Sequence, residues 1–260
     1  MFEVDTYLKT IGYTGSTEPT LPTLRGVLRR HLIAIPFDNA SIADEDRGMA
    51  LWDDVDIDAD RIFDEIVAGG RGGVCYELNG LFRTLTRAMG FDYQILAGSV
   101  RQVNGGFGPE LEHIFGCVRL DGEVWLTDVG LGGPTYQEPL RVAEGEVTEI
   151  AGVKYRTVPD GGYWVVQRQP REKDWENVYR FKLVYRDIKA WDKPDLALVE
   201  FPPELIAIGT YIRSRATEDG YRVLVGRRLL TLADGYEKVR VLVKTDEFQS
   251  TLADVLNQGS

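Results

Sequence analysis

The chain of 260 residues carries 30 basic and 41 acidic side chains, for a formal net charge of −11, and 43% of its residues are apolar. That length holds one or two domains with a sizeable core, and that apolar share excludes a disordered chain. The acidity excludes a broad nucleic-acid footprint, no apolar run reaches the length of a membrane span, and the start MFEVDTYLKT lacks the basic and apolar segments of a secretory leader, so a cytoplasmic location is expected.

The first ninety residues read as helices. Asp5 caps a short one running through Ile11, with Gly12 as its stop. Thr20 caps a second, with Pro22 in its first turn and Leu24, Val27, Leu28 and Leu32 on one face; it ends before Pro36. A third starts near Asp58, carries Ile62, Phe63, Ile66 and Val67, and ends at Gly69-Gly70. A fourth runs from about Cys75 to Met89, with Leu78, Leu81, Phe82 and Leu85 inward and Gly90 as the stop.

From Tyr93 to Val184 the pattern changes to short strands rich in branched and aromatic residues: YQILAGSV, HIFGCVRL, EVWLTDV, KYRTV, YWVVQRQ and WENVYRFKLVY. LDGEV and PDGGY read as hairpin turns. The last segment combines an apolar stretch from Leu196 to Ile212, the strand-like YRVLVG and KVRVLV, and a closing helix from about Glu247 to Leu256. Helices first and strands later, with no βαβ alternation, predict an α+β chain. The expected division is a helical domain over 1–90, a β-barrel domain over 91–190 and an α/β lid over 191–260.

Cysteine and histidine are scarce, and that narrows the chemistry. Cys75 and Cys117 are too few for a disulfide framework or a cysteine-built zinc site, and no metal is expected. Cys75 follows the glycines of GGRGGVC and opens a helix. A helix N-terminus and a nearby cation both lower a thiol pKa, and the free N–H groups there suit an oxyanion. Gly72 and Gly73 permit a close approach that side chains would block. A lone cysteine is more often a small core residue, and Cys117, inside a strand, fits that reading. A nucleophilic cysteine needs a base, and the base needs an orienter. His113 opens one strand and Asp128 ends the next, across the LDGEV turn. Alone, His113 reads as a core histidine and Asp128 as a turn residue; with Cys75 they form a plausible triad. His31, flanked by arginines, reads as a solvated surface residue.

RGGVCYELN, HIF and LTDVGLGG, together with IPFDN at 35–39 and the tail from TEDGYRVLVGRRL onward, resemble the signature segments of the arylamine N-acetyltransferase family. The resemblance covers most of the chain. It implies a helical bundle, a β-barrel and a smaller C-terminal part, the first two arranged as in papain-type cysteine enzymes. It also implies that Cys75 takes an acyl group from a thioester, that His113 accepts the thiol proton and that Asp128 holds His113. By the same resemblance Arg71 pairs with Asp38 as structural support, where the family usually has glutamate. Gly130, Gly132 and Gly133 border the thioester donor or simply form a turn. No bound cofactor is implied beyond that donor.

Departures from the pattern bear on the substrate. No histidine occurs in LVEFPPELIAIGTYIRS, where many members carry a His-Pro segment; Glu112 precedes His113 where threonine is common, and Tyr76 replaces a phenylalanine. The amide synthases of ansamycin pathways look closer. They close a carrier-bound polyketide onto its own aromatic amine to give a macrolactam. The apolar segment at 191–215 and Trp164, Trp175 and Trp191 suit a large acyl chain, or pack an ordinary core. The expected partners are an amine or polyketide substrate and an acidic acyl carrier protein docking on a basic patch, for which Leu24–His31 and Gly226–Leu229 are the candidates, each otherwise a solvated face. The alternatives are an acetyl-CoA-dependent arylamine N-acetyltransferase and an inactive binding partner of a biosynthetic assembly.

Three other signals are set aside. Asp54, Asp56, Asp58, Asp60 and Glu65 have calcium-loop spacing, but Ala59 stands where the loop needs glycine, so acidic helix capping is expected instead. No Lys-Ser/Thr pair follows GLGG, so it is not a nucleotide phosphate loop. No G-x-S-x-G elbow is present for a serine hydrolase.

Overall fold

The computed structural model describes residues 1–40, 58–188 and 211–256. Helix α1 spans Val4–Thr10 and α2 spans Leu21–Ala34. Thr20 caps α2 as its sequence predicts, accepting from the Thr23 N–H. Glu3, two residues before the predicted cap Asp5, flanks α1 without a side-chain cap bond, and Asp5 lies inside the first turn. The third predicted helix splits: α3 covers Ala59–Phe63 and a π-helical turn covers Asp64–Ala68. Asp58 caps α3 through the N–H groups of Asp60 and Arg61, while Asp54 and Asp56 lie outside the described residues. Helix α4 spans Cys75–Ala88 and buries Leu78, Leu81, Phe82 and Leu85 in the main core. Full burial of such side chains contributes roughly 1.5–3 kcal/mol each.

His31 is a correction. It is fully buried and its Nδ1 lies 2.7 Å from the Tyr7 hydroxyl. Its spacing explains this, since position 31 follows Leu24, Val27 and Leu28 by seven, four and three residues, on the apolar face.

Short strand β1 (Phe37–Asp38) precedes α3. After α4 come β2 (Asp92–Val100), β3 (His113–Leu120), β4 (Glu123–Thr127), β5 (Leu140–Arg141), β6 (Thr148–Ile150), β7 (Val153–Asp160), β8 (Tyr163–Gln169) and β9 (Glu176–Phe181). They form one antiparallel sheet in the order β5-β4-β3-β2-β9-β8-β7-β6. The sheet curls until its ends nearly meet: the Thr157 hydroxyl of β7 accepts from the Ala143 N–H, just past β5, at 3.1 Å. Asp121 and Gly122, both at positive φ, form the two-residue turn between β3 and β4, which is why D-G is the hairpin signal. Phe115, Tyr136, Tyr155, Tyr179 and Phe181 fill the interior.

The C-terminal unit holds β10 (Ile212–Thr217), β11 (Gly220–Val225), β12 (Arg228–Ala233), β13 (Tyr236–Val241) and helix α5 (Thr245–Val255). Strand β1 adds to this sheet beside β10, with Phe37 opposite Ser214. Leu224, Leu229 and Leu242 pack under Phe248 and Leu252 of α5. The fold is therefore the expected α+β class: helices, an antiparallel near-barrel, then a small α/β unit. No helix among the described residues is long and apolar enough to cross a membrane.

Candidate active site

Cys75 occupies the first turn of α4, after an N-cap at Val74 that has no polar side chain. Glu77 supplies the missing cap, its Oε2 accepting from the Val74 N–H at 3.0 Å. Arg71 then grips Glu77 with both terminal nitrogens, at 2.6 and 3.3 Å, and reaches Glu65 at 2.7 Å. The expected Arg71–Asp38 pair is not formed. Asp38 instead accepts from Arg213 at 3.0 Å. Gly72 explains the choice, since a Cβ there would lie 2.7 Å from the Asp38 Cβ, so Asp38 sits on the loop backbone and its short side chain turns to β10. Gly73 is equally tight, within 2.6 Å of the Ile66 Cδ1 if it carried a Cβ. These two glycines let the loop lie on β1, with the Asp38 N–H donating to the Gly73 carbonyl at 3.0 Å.

The β3–β4 register pairs Gly116 with Thr127. Continued by one residue, it sets Asp128 beside Phe115, on the face that also carries His113. The contact is made: His113 Nε2 lies 2.8 Å from Asp128 Oδ2, with both residues buried. Phe115 stacks on the His113 ring at 5.7 Å, and Tyr179 flanks it at 5.6 Å while its hydroxyl meets that of Tyr136 at 2.6 Å. Burial pulls the His113 pKa down. The Asp128 carboxylate, by charge and hydrogen bond, and Cys75, by hydrogen bond and charge, outweigh burial and raise it to about 10. Cys75, His113 and Asp128 are thus brought together. Cys75 is partly exposed, whereas burial pushes the Cys117 thiol up to about 12 and leaves it a core residue.

Asn79 was not singled out by the sequence reading. It stands one helical turn after Cys75 and is buried. Its Nδ2 donates to Asp128 Oδ1 at 3.2 Å and to the Ile114 carbonyl at 2.9 Å, and its Oδ1 accepts from the Val129 N–H at 3.1 Å. An amide on the apolar face of α4 was the available signal. Tyr179 and Glu77 were also missed.

The three glycines behave differently. A Cβ on Gly130 would strike Cys75 Cα at 2.6 Å and Asn79 Nδ2 at 2.5 Å, so Gly130 is a close-approach residue whose N–H also donates to Asp128 Oδ1. Gly132 abuts the Phe37 ring, and Gly133 faces open space. Of the aromatics, Trp164 packs against the core and Trp175 lies under the Arg156 guanidinium at 4.0 Å; Trp191 and most of the 191–215 segment lie outside the described residues. The Leu24–His31 patch is spoken for, with Arg25 paired to Glu138 and Arg29 and Arg30 to Glu218. In the other patch Arg227 covers Phe248.

A helix-start cysteine thus stands near a carboxylate-held imidazole, between a helical unit and a β-barrel, on the fold of an acyltransferase. The chain belongs to the N-acetyltransferase family, whose model matches residues 20–258. It is 37% identical over 259 residues to the proansamycin X synthase of Amycolatopsis mediterranei (strain S699), covering 99% of this chain and 98% of that protein. It is 31% identical over 177 residues to the arylamine N-acetyltransferase of Escherichia coli (strain K12), covering 68% of this chain and 60% of that protein. The Mycobacterium marinum arylamine N-acetyltransferase in complex with CoA superposes with a TM-score of 0.83 at 28% identity, covering 98% of this chain and 92% of that one.

Proposed function

We propose that this chain forms an amide from a thioester donor and an aromatic amine through an acyl-Cys75 intermediate, and that it acts as an amide synthase releasing and closing a carrier-bound polyketide. The observation that carries the chemistry is the Asp128–His113 bond at 2.8 Å beside Cys75 at a helix start. In the first step the Cys75 thiolate attacks the thioester carbonyl. The C–S bond to the donor breaks, and the departing sulfur takes the proton from His113. In the second step the amine attacks the acyl-cysteine, neutral His113 takes the amine proton, and the amide leaves as the Cys75 thiolate and imidazolium are restored. Asp128 stabilises the imidazolium and fixes its tautomer, leaving Nδ1 for Cys75. The first-turn N–H groups of α4 stabilise the tetrahedral oxyanion.

The full-length identity with proansamycin X synthase supports the macrolactam branch. In that reading the donor is a polyketide on an acyl carrier protein and no cofactor stays bound. The second reading, an acetyl-CoA-dependent arylamine N-acetyltransferase, is favoured by the likeness to the CoA-bound mycobacterial structure. Intact mass after incubation with acetyl-CoA and with long-chain acyl thioesters separates them, with Cys75→Ala as control. We expect a stable adduct on Cys75 from long-chain thioesters, discharged by an aromatic amine, and little from acetyl-CoA. Rapid acetylation and turnover would instead establish the second reading. A Cys75 that alkylates no faster than a model thiol would leave only a non-catalytic binding role.

A further inference from the structure

The residue before His113 is one of the chain's departures from its family, and the acyl-transfer chemistry leaves it without a role. Strand β3 begins at His113, which lies opposite Gly98 of β2. Continued by two residues, that register would set Leu111 against Val100. The chain leaves the ladder there instead. Residues 101–112 fold back as a hairpin of their own, with Arg101 bridged to Phe107 and the Gln102 N–H donating to the Gly106 carbonyl at 2.9 Å. Val100, still opposite Tyr179 of β9, has both of its backbone groups met from this loop. The Gly108 N–H donates to the Val100 carbonyl at 2.9 Å, and the Val100 N–H donates to Glu112 Oε2 at 3.0 Å.

Gln102 completes the arrangement. Its Nε2 donates to Glu112 Oε1 at 2.8 Å and to the Val100 carbonyl at 3.2 Å. Both oxygens of Glu112 are thus engaged, one by a backbone N–H and one by an amide. Gly108 belongs to the same fit, since a Cβ there would collide with Glu112 Oε2. The body of the loop is pinned elsewhere, with Phe107 under the Arg180 guanidinium at 4.9 Å and Glu110 paired to Lys182 at 2.6 Å. Glu112 pins its last residue, one Cα step of about 3.8 Å from His113. The His113 ring has two partners to satisfy at once, Asp128 at 2.8 Å and Cys75. A misplacement of about 1 Å in such a group costs on the order of 100-fold in rate, so a strand that frays at its first residue is felt at the ring. Threonine, common at this place in the family, is two carbons too short to reach the Val100 N–H in the same way.

We propose that Glu112 is a positioning residue for His113: by accepting the Val100 N–H it closes the β2–β3 ladder beside the imidazole and fixes the ring between Asp128 and Cys75. This rests on the acyl-transfer reading above, in which His113 serves Cys75. The role belongs to the accepting oxygen and not to the negative charge, so glutamine fills it and the family's threonine does not.

The test compares Glu112→Gln, Glu112→Thr and Glu112→Ala with the parent, as whole proteins, at a temperature where urea melts show all of them folded. The first readout is the single-turnover rate of acyl-Cys75 formation against long-chain acyl thioester concentration. The second is the NMR resonance of the proton between His113 Nε2 and Asp128 Oδ2 in nitrogen-15-labelled protein. We expect Glu112→Gln to stay within about threefold of the parent rate at saturation, and the other two to be slower by about tenfold or more, with half-saturating concentrations within about twofold throughout. The shared proton should persist in Glu112→Gln and broaden or exchange away in Glu112→Ala and Glu112→Thr. A Glu112→Ala protein that keeps the parent rate, or keeps the proton unchanged, overturns the proposal. So does a Glu112→Gln protein as slow as Glu112→Ala, which assigns the effect to charge, and so does a parent without that proton. If Cys75 accepts no acyl group, the acyl-transfer reading fails alone, and the proton in Glu112→Ala and Glu112→Gln still decides whether Glu112 places the ring.

Discussion

Asp128 uses its two oxygens differently: Oδ2 holds His113, while Oδ1 accepts from Asn79 and from the Gly130 N–H. Asn79→Ala therefore leaves Asp128 loosely aimed and strands the Val129 N–H. We expect the acylation rate to fall roughly 10- to 100-fold and stability to drop by about 1–3 kcal/mol. Single-turnover kinetics and urea melts check both, and a rate within twofold of the parent would show that Gly130 alone fixes the carboxylate. A second expectation concerns the proton on His113, which is held up to a pH of about 10 by Asp128 and Cys75 against burial. Alkylation of Cys75 by iodoacetamide at neutral pH should therefore slow in His113→Gln, which removes the neighbouring cation. A rate unchanged in that variant would show that His113 does not activate the thiol. The three candidate side chains were legible because the chain holds only two histidines and two cysteines. Asn79 was not, since an amide carries no chemistry until a carboxylate is seen beside it.

At the level of elements, the start of α4 depends on a pairing across six residues. The buried Glu77 carboxylate ties Arg71 to the Val74 N–H and so fixes the glycine loop to the helix that carries Cys75. Glu77→Ala leaves Arg71 with Glu65 alone and uncaps the helix. The expected loss is about 2–3 kcal/mol, less than for a wholly buried pair because Arg71 keeps some solvent contact. Slower Cys75 alkylation should accompany it, and a melt that moves without any change in that rate would limit Glu77 to a stability role. The helix boundaries here were readable, because Thr20, Asp58 and the Gly69–Gly73 run are punctuation with a mechanism. The Arg71–Asp38 pairing was not, because it was taken over from a family whose usual residue is the longer glutamate. Two-residue strands such as β1 and β5 leave no periodic trace at all.

Across the whole molecule, hairpin neighbours such as β3 and β4 could be inferred from their turn, but β2 beside β9, and β1 inserted into the C-terminal sheet, join residues about 80 and 175 positions apart. Sequence periodicity gives a strand's faces and says nothing of its distant partner. The same long-range packing buries both histidines and sets them against each other in pH dependence. His31, enclosed by Tyr7 and Phe82, is lowered by burial to about 3. Its folded value lies below the unfolded value of roughly 6.5, so its contribution is fully present above that pH and is lost as pH falls towards 3, at roughly 1 kcal/mol per pH unit. His113 has the opposite sign. Its folded value of about 10 lies above the unfolded one, so its contribution is present below roughly 6.5 and is lost as pH rises towards 10. Urea melts from pH 4 to 10 on the parent, His31→Gln and His113→Gln proteins check this. Each variant should flatten one limb only, the acid limb for His31 and the alkaline limb for His113. An acid limb unchanged in His31→Gln would assign acid sensitivity to the carboxylates alone. Because His31 does not touch Asp128 or Cys75, its removal should shift stability without shifting the pH profile of acyl transfer, which separates the packing role of one histidine from the proton-holding role of the other.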